Sequence, residues 1–293
     1  MLYVKGRQHP VSIFHTSTSQ NDYVEAALRT FFQIHVDRAL GDVLIFLPGI
    51  LELPIFLLAE SQPYLGQEDI ENLQSSLRMY ADQLPQGVLK VIVCPLYASL
   101  PDAHQARVFQ PTPLDSRKCV LATNIAETSI TIPGVRYVID SGKQKEKRYL
   151  ARIAGSGEAY RMSAHLPTIS DLHSSGFDTL VTTDITKSAA MQRTGRAGRE
   201  GHGYCFRLYT EEAFNSMAMS AEPEIQRSNL TAVFLMLKVI GQDLDTIQFM
   251  DQPDQDASML PSHQSVILFH ITLQSVRRYG HSGSSTLLTI PDV

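Results

Sequence analysis

The sequence predicts an α/β fold, a parallel sheet flanked by helices, on three observations. Strand-length segments recur at residues 43–47, 89–94, 119–123 and 135–140, and the first of them is a continuous apolar run. Runs without polar alternation suit strands buried on both faces. Segments of helical period separate them, and strands alternating with helices give a parallel sheet. Finally, a cluster of hydroxyls and amides follows the run at 119–123 directly, and parallel sheets collect ligands beyond the carboxyl ends of their strands.

In chain order, Leu2-Tyr3-Val4 is a short strand candidate, broken by residues 6–10 and resumed at 11–15. Residues 22–40 place Tyr23, Ala26, Ala27, Phe31, Ile34 and Ala39 at helical spacing, with Asp22 or Asn21 as N-cap. Gly41-Asp42 turns into the apolar run 43–47. Residues 67–84 return to a helical pattern, and 102–109 read as a short helix. Residues 203–209 form a closing strand and Glu211 begins a helix. Residues 223–239 carry Leu230, Val233, Phe234 and Leu237 at helical spacing.

The 293 residues, 43% hydrophobic, allow one large or two modest domains. A net charge of −5 excludes an overall basic character, so any nucleic-acid contact must be local or through backbone amides. Cys94, Cys119 and Cys205 have neither zinc nor disulfide spacing; Cys94 and Cys119, in apolar runs, read as buried core thiols, and a reducing, intracellular compartment fits. No metal site is predicted. Residues 43–59 are apolar, but Pro48, Gly49, Glu52 and Pro54 interrupt them, which argues against a membrane span. No nucleophile–base pair appears, and His104, His165 and His202 read as exposed.

Two stretches carry chemistry. Gln192-Arg193-Thr194-Gly195-Arg196-Ala197-Gly198-Arg199 holds three arginines and two glycines in eight residues. On a helix, Gln192, Arg196 and Arg199 fall within about 60° of one face, with Arg193 about 100° from Gln192. Two guanidiniums and an amide with little bulk suit a polyphosphate. Gly195 and Gly198 lower helix propensity, a cost accepted where something approaches the backbone closely. Arg193, off that face, is assigned to structure. The second stretch is Thr123-Asn124-Ile125-Ala126-Glu127-Thr128-Ser129-Ile130-Thr131, whose hydroxyls can hold phosphate oxygens or cap a turn at Thr128 or Ser129.

Together these stretches resemble motifs V and VI of the DEAH-box RNA helicases. Further ordered matches are residues 6–11, 41–49, Leu96-Tyr97-Ala98-Ser99-Leu100-Pro101, 117–140, 204–209 and 223–230. The resemblance implies a RecA-like parallel sheet with a β-hairpin protrusion, arms 143–149 and 177–183, and a truncated C-terminal helical extension. It implies domains at 1–215 (second RecA-like domain), 216–257 (start of the winged-helix region) and 258–293 (divergent tail). The phosphate-cradling loop and Asp-Glu-Ala-His box of a first RecA-like domain are not found in the sequence, so a C-terminal portion is expected. By resemblance Arg196 and Arg199 are arginine fingers with Gln192 beside them. Ser129 and Thr131 face the nucleotide, and Thr123, Asn124 and Ser99 contact RNA. ATP with Mg²⁺ is implied as cofactor once a first domain is present. Implied partners are RNA and ribosome-biogenesis or spliceosomal proteins, in the nucleus or nucleolus.

The isolated chain is expected to be inactive, bind RNA weakly and dissolve poorly. The alternative is a non-catalytic RNA- or protein-binding module derived from a helicase. Residues 50–66 and 151–174 read as insertions against the family pattern. Translated introns are the favoured source, and partner-binding segments, the first with an apolar patch at 55–59, are the competing one.

Overall fold

The computed structural model describes residues 9–49, 67–85, 87–97, 100–127, 130–150, 177–228, 230, 233, 236–237, 240–242 and 247–253. The expected strand at 2–4, both insertions and the tail from 258 lie outside them. The chain divides into two compact units. One comprises the residues up to Lys147 with Leu180–Ala221; the other comprises Arg148–Thr179 and the residues from Glu222 onward.

The first unit is built on a six-stranded sheet. Its strands are β1 (Val11–His15), β2 (Asp42–Phe46), β3 (Lys90–Leu96), β4 (Ser116–Ala122), β5 (Val135–Asp140) and β8 (Gly203–Arg207). They lie in the order β1-β8-β5-β2-β4-β3 and every neighbouring pair is parallel. All residues of β2 and β4 are buried, as expected for central strands covered on both faces. On one face, helices α1 (Tyr23–Asp37) and α2 (Gln67–Ala81) seal a core containing Phe31, Ile34, Leu73, Leu77, Ile45 and Leu121. On the other, Leu44, Phe46, Val120, Val138, Ala197 and Cys205 pack together. The three cysteines are buried and free. A separate two-stranded sheet pairs β6 (Lys143–Leu150) with β7 (Phe177–Asp184), where the hairpin arms were expected.

Asp22 is the N-cap of α1; its Oδ1 accepts the Val24 and Glu25 amides at 3.0 and 2.9 Å. The helix stops at Asp37 rather than 40 because Arg117 and Tyr137 take its terminal carbonyls. Arg117 donates to Ile34, Arg38 and Ala39 oxygens, and the Tyr137 hydroxyl donates to Ala39 O at 2.9 Å. This also explains why β4 begins at Ser116 rather than 119. Arg117 and Lys118 are charged yet 1% and 3% exposed. The Lys118 ammonium donates to Val108 O and Gln110 O at 2.9 and 2.8 Å and lies 3.6 Å from Asp42.

The helix expected over 102–109 is α3 (Asp102–Gln105) followed by a 3₁₀ turn at Ala106–Phe109. The further helices are α4 (Lys187–Gly195), α5 (Glu211–Ser216) and α6 (Glu224–Arg227). The helix expected over 223–239 is interrupted. α6 ends at Arg227, and Ser228 is extended at φ −99°, ψ 155°. No helix among the described residues is long and apolar enough to cross a membrane. Among them, no cluster of side chains could hold a metal ion.

Candidate functional site

The site is built where α4 runs into the loop between β4 and β5. Thr186 caps α4 by accepting the Ala189 amide at 3.2 Å. Further along the helix, Arg193 is fully buried (0% exposed). Its Nε and second guanidinium nitrogen lie 2.7 Å from Glu127 Oε1, and the remaining nitrogen donates to Asp140 Oδ1 at 2.8 Å. The guanidinium also sits 5.0 Å from the Phe46 ring centroid. Asp140 is saturated in turn by the Gly142 amide at 3.0 Å and the Tyr209 hydroxyl at 2.9 Å. Burial alone would lower Arg193, but Asp140 and then Glu127 outweigh it and hold it above the ordinary guanidinium value. Burial pushes the Glu127 carboxyl up, and Arg193 pulls it only part of the way back. Arg193 therefore fastens the arginine segment to the ends of β4 and β5. This is the structural role its position off the phosphate face implied.

The eight-residue stretch is not one helix. α4 ends at Gly195 and tightens into a 3₁₀ turn over Arg196–Gly198. That turn is wedged between the starts of β1 and β8. Ala197 is in the core, and His9 N–H donates to Gly198 O at 2.8 Å. A Cβ on Gly198 would stand 2.6 Å from His9 O and 2.8 Å from Val11 Cγ2. The close approach at Gly198 is thus to the chain's own β1 and not to a ligand, which corrects the sequence-based expectation. Gly195 has nothing within 4 Å and stays open.

The two outer arginines meet the β4–β5 loop. Arg196, half-buried, donates to Ile130 O at 3.1 Å and to Glu127 O; Arg199, exposed, donates to the Thr131 hydroxyl. Burial is the largest influence lowering Arg196; neighbouring Arg199 adds to it, and Glu127 opposes. Two like charges therefore share one recess, walled by Leu44, Ile130, Ile132 and Val135. Gln192 is exposed, and among the described residues no contact joins it to these arginines.

At the carboxyl end of β4, Thr123 is 3% exposed and caps the 3₁₀ turn at Asn124–Ala126. Its methyl lies so close to Gly49 that a Cβ there would stand 1.9 Å from it. Asn124 beside it is exposed, as is Thr131. Ser99, Ser129 and the capping candidate Thr128 lie outside the described residues. His104 and His202 are exposed or nearly so; His165 is outside. Sequence reasoning missed Glu127 and Asp140 as partners of Arg193. Their signal was legible: one acid inside a hydroxyl-rich loop, and one closing the apolar run Tyr137-Val138-Ile139.

Residues 69–201 match the helicase conserved C-terminal domain. The human ATP-dependent RNA helicase DHX33 is 41% identical over 258 residues, which cover 87% of this chain and 31% of that protein. The Arabidopsis thaliana pre-mRNA-splicing factor ATP-dependent RNA helicase DEAH10 is 37% identical over 257 residues, covering 87% and 30%. The crystal structure of the Escherichia coli DEAH/RHA helicase HrpB superposes with a TM-score of 0.65 at 27% identity, over 88% of this chain and 28% of that one. The chain thus spans less than a third of the length of these relatives. With a parallel RecA-like sheet, the chain matches the C-terminal region of DEAH-box helicases.

Proposed function

We propose that this chain supplies one half of an ATP-dependent RNA helicase: arginine fingers for ATP hydrolysis and backbone contacts for RNA. The supporting observation is the pair Arg196 and Arg199, held side by side with Arg193 anchoring them from below. Two adjacent guanidiniums repel one another, and an anion between them relieves that repulsion. Two cations line one recess and the Thr131 hydroxyl bonded to Arg199 stands beside them, a donor set suited to phosphate oxygens. Mg²⁺ does not fit here, because the described lining of the recess holds no carboxylate and Glu127 is committed to Arg193. The metal and the phosphate-cradling loop are assigned to a first RecA-like domain.

The roles within the cradle differ. Arg196 is tied to the carbonyls of the β4–β5 loop and positions it. Arg199, which donates to one exposed hydroxyl, is the finger that reaches the transferring phosphate. Its contribution is charge stabilisation, about 10³–10⁵ in rate for arginine fingers generally. Gln192 and Ser129 complete the nucleotide face. RNA is held through its backbone by Asn124 and Ser99, and Thr123, buried against Gly49, sets the turn that presents Asn124. ATP binding closes the two domains, and hydrolysis releases them. Two relatives named as pre-mRNA-splicing factors support nuclear RNA processing, with spliceosomal or ribosome-biogenesis partners. The 293-residue chain alone is expected to show no RNA-stimulated ATP turnover. Turnover by the pure chain would overturn the shared-site reading.

A further inference from the structure

A second cationic recess lies at the sheet edge opposite β1 in the strand order. Among the described residues β3 pairs only with β4, so it is an edge strand of this sheet. A cavity of about 240 Å³ opens beside its carboxyl end, between α2 and α3. Its floor is Cys94 and Pro95. Arg78 and Gln74 reach it from α2, and His104 and Arg107 from the opposite side. The lining contains no carboxylate among the described residues. Among those residues none of these four polar side chains is engaged in a hydrogen bond or ion pair, and both arginines are exposed. The wall carrying Leu100 is pinned, because Gln105 donates to Leu100 O at 2.7 Å.

Strand pairing does not explain this recess. Lys90 N–H bonds Asp115 O and Leu96 O accepts from Thr123, so the groups of Val91, Val93 and Pro95 face the open edge. Pro95 offers no N–H there, which blunts docking of another strand. What remains is a set of N–H donors around one cavity. Two of the donor groups are guanidinium forks, whose geometry matches phosphate oxygens. Both arginines line the cavity together with Cys94. The apolar walls, Val93, Pro95 and Tyr97, leave room for the organic part of an ester.

We infer that the carboxyl end of β3 carries a phosphate-class oxyanion site, formed by Arg78 and Arg107 with Gln74 and His104, and separate from the Arg196–Arg199 cradle. The inference does not depend on ATP hydrolysis or RNA unwinding. The test is amide NMR of the full chain titrated with inorganic pyrophosphate and, separately, with a short oligouridylate. Pyrophosphate is expected to shift Cys94, Tyr97 and His104. In R78Q/R107Q the apparent affinity at these amides should fall about tenfold or more, as charge-assisted forks are lost. R196Q/R199Q should leave them unchanged. Matching shifts from oligouridylate identify an RNA phosphodiester as the source; shifts from pyrophosphate alone identify a free phosphate or nucleotide. Unperturbed Leu44 and Val138 amides verify that R78Q/R107Q is folded. Absence of shifts with both titrants, or undiminished shifts in folded R78Q/R107Q, overturns the site.

Discussion

Replacing Arg193 by methionine is expected to destabilise the domain by about 3–5 kcal/mol at neutral pH, because it strands buried carboxylates without a counter-charge. The magnitude follows from the geometry. Arg193 is 0% exposed and satisfies Glu127 and Asp140 at once, and Asp140 is itself 0% exposed. An exposed pair of similar distance, Lys90–Asp115 at 2.9 Å, has side chains 78% and 61% exposed, and its removal is expected to leave stability unchanged. Burial, not distance, decides between them. For a domain of this size the loss corresponds to roughly 6–20 °C in Tm.

The loss should depend on pH. Burial already raises the Glu127 carboxyl, and without the opposing pull of Arg193 it rises further. A raised folded pKa contributes stability below the unfolded value and loses it as pH rises through the folded value. R193M should therefore be closest to wild type near pH 5 and furthest at pH 8. Neutralising the stranded acids in R193M/E127Q/D140N should recover much of the loss, since the amide oxygen that D140N introduces can still accept from Gly142 N–H while its NH2 donates to the Tyr209 hydroxyl oxygen. Urea unfolding followed by circular dichroism at both pH values measures all three. A deficit under about 1 kcal/mol at pH 8, with unchanged m-value, would refute the anchoring role of Arg193.

Three further outcomes follow from the same geometry. Gly198→Ala should cost about 1–3 kcal/mol by pushing the 3₁₀ turn off His9 and Val11, read as a lowered urea midpoint. Gly195→Ala should leave stability unchanged or raise it by up to about 1 kcal/mol, because nothing lies within 4 Å of its would-be Cβ. Burial lowers His35 below its ordinary value near 6.5, and its Nε2 lies 2.9 Å from Leu89 O, so the neutral ring with a proton on Nε2 is the folded form. A depressed pKa gives stability that is present above the unfolded value and lost as pH falls through the folded one. Wild type should therefore weaken on acidification below about 6.5, and His35→Phe should show a shallower slope in the urea midpoint over that window.

The central strands were legible because their surroundings are uniform. Val43-Leu44-Ile45-Phe46 is apolar throughout, and its side chains belong to the two core clusters on either face of the sheet. The strand that begins with Ser116-Arg117-Lys118 was not, since Arg117 is buried to terminate α1 and Lys118 to hold Asp42, a tertiary duty that no local pattern reveals. Arg193 could be separated from Arg196 and Arg199 by helical angle alone. Why Gly198 is a glycine could not be read, because its neighbour, His9, is far away in sequence. That Gly49 packs over Thr123 could not be read either, because the two are far apart in sequence.

The most direct test joins this chain to the first RecA-like domain of one of its relatives and measures RNA-stimulated ATP hydrolysis. The shared-site proposal expects turnover in the fusion, none in either part alone, and a fall of about 10³-fold or more in Arg199→Ala with folding intact. An Arg199→Ala fusion that hydrolyses ATP at the wild-type rate would contradict it.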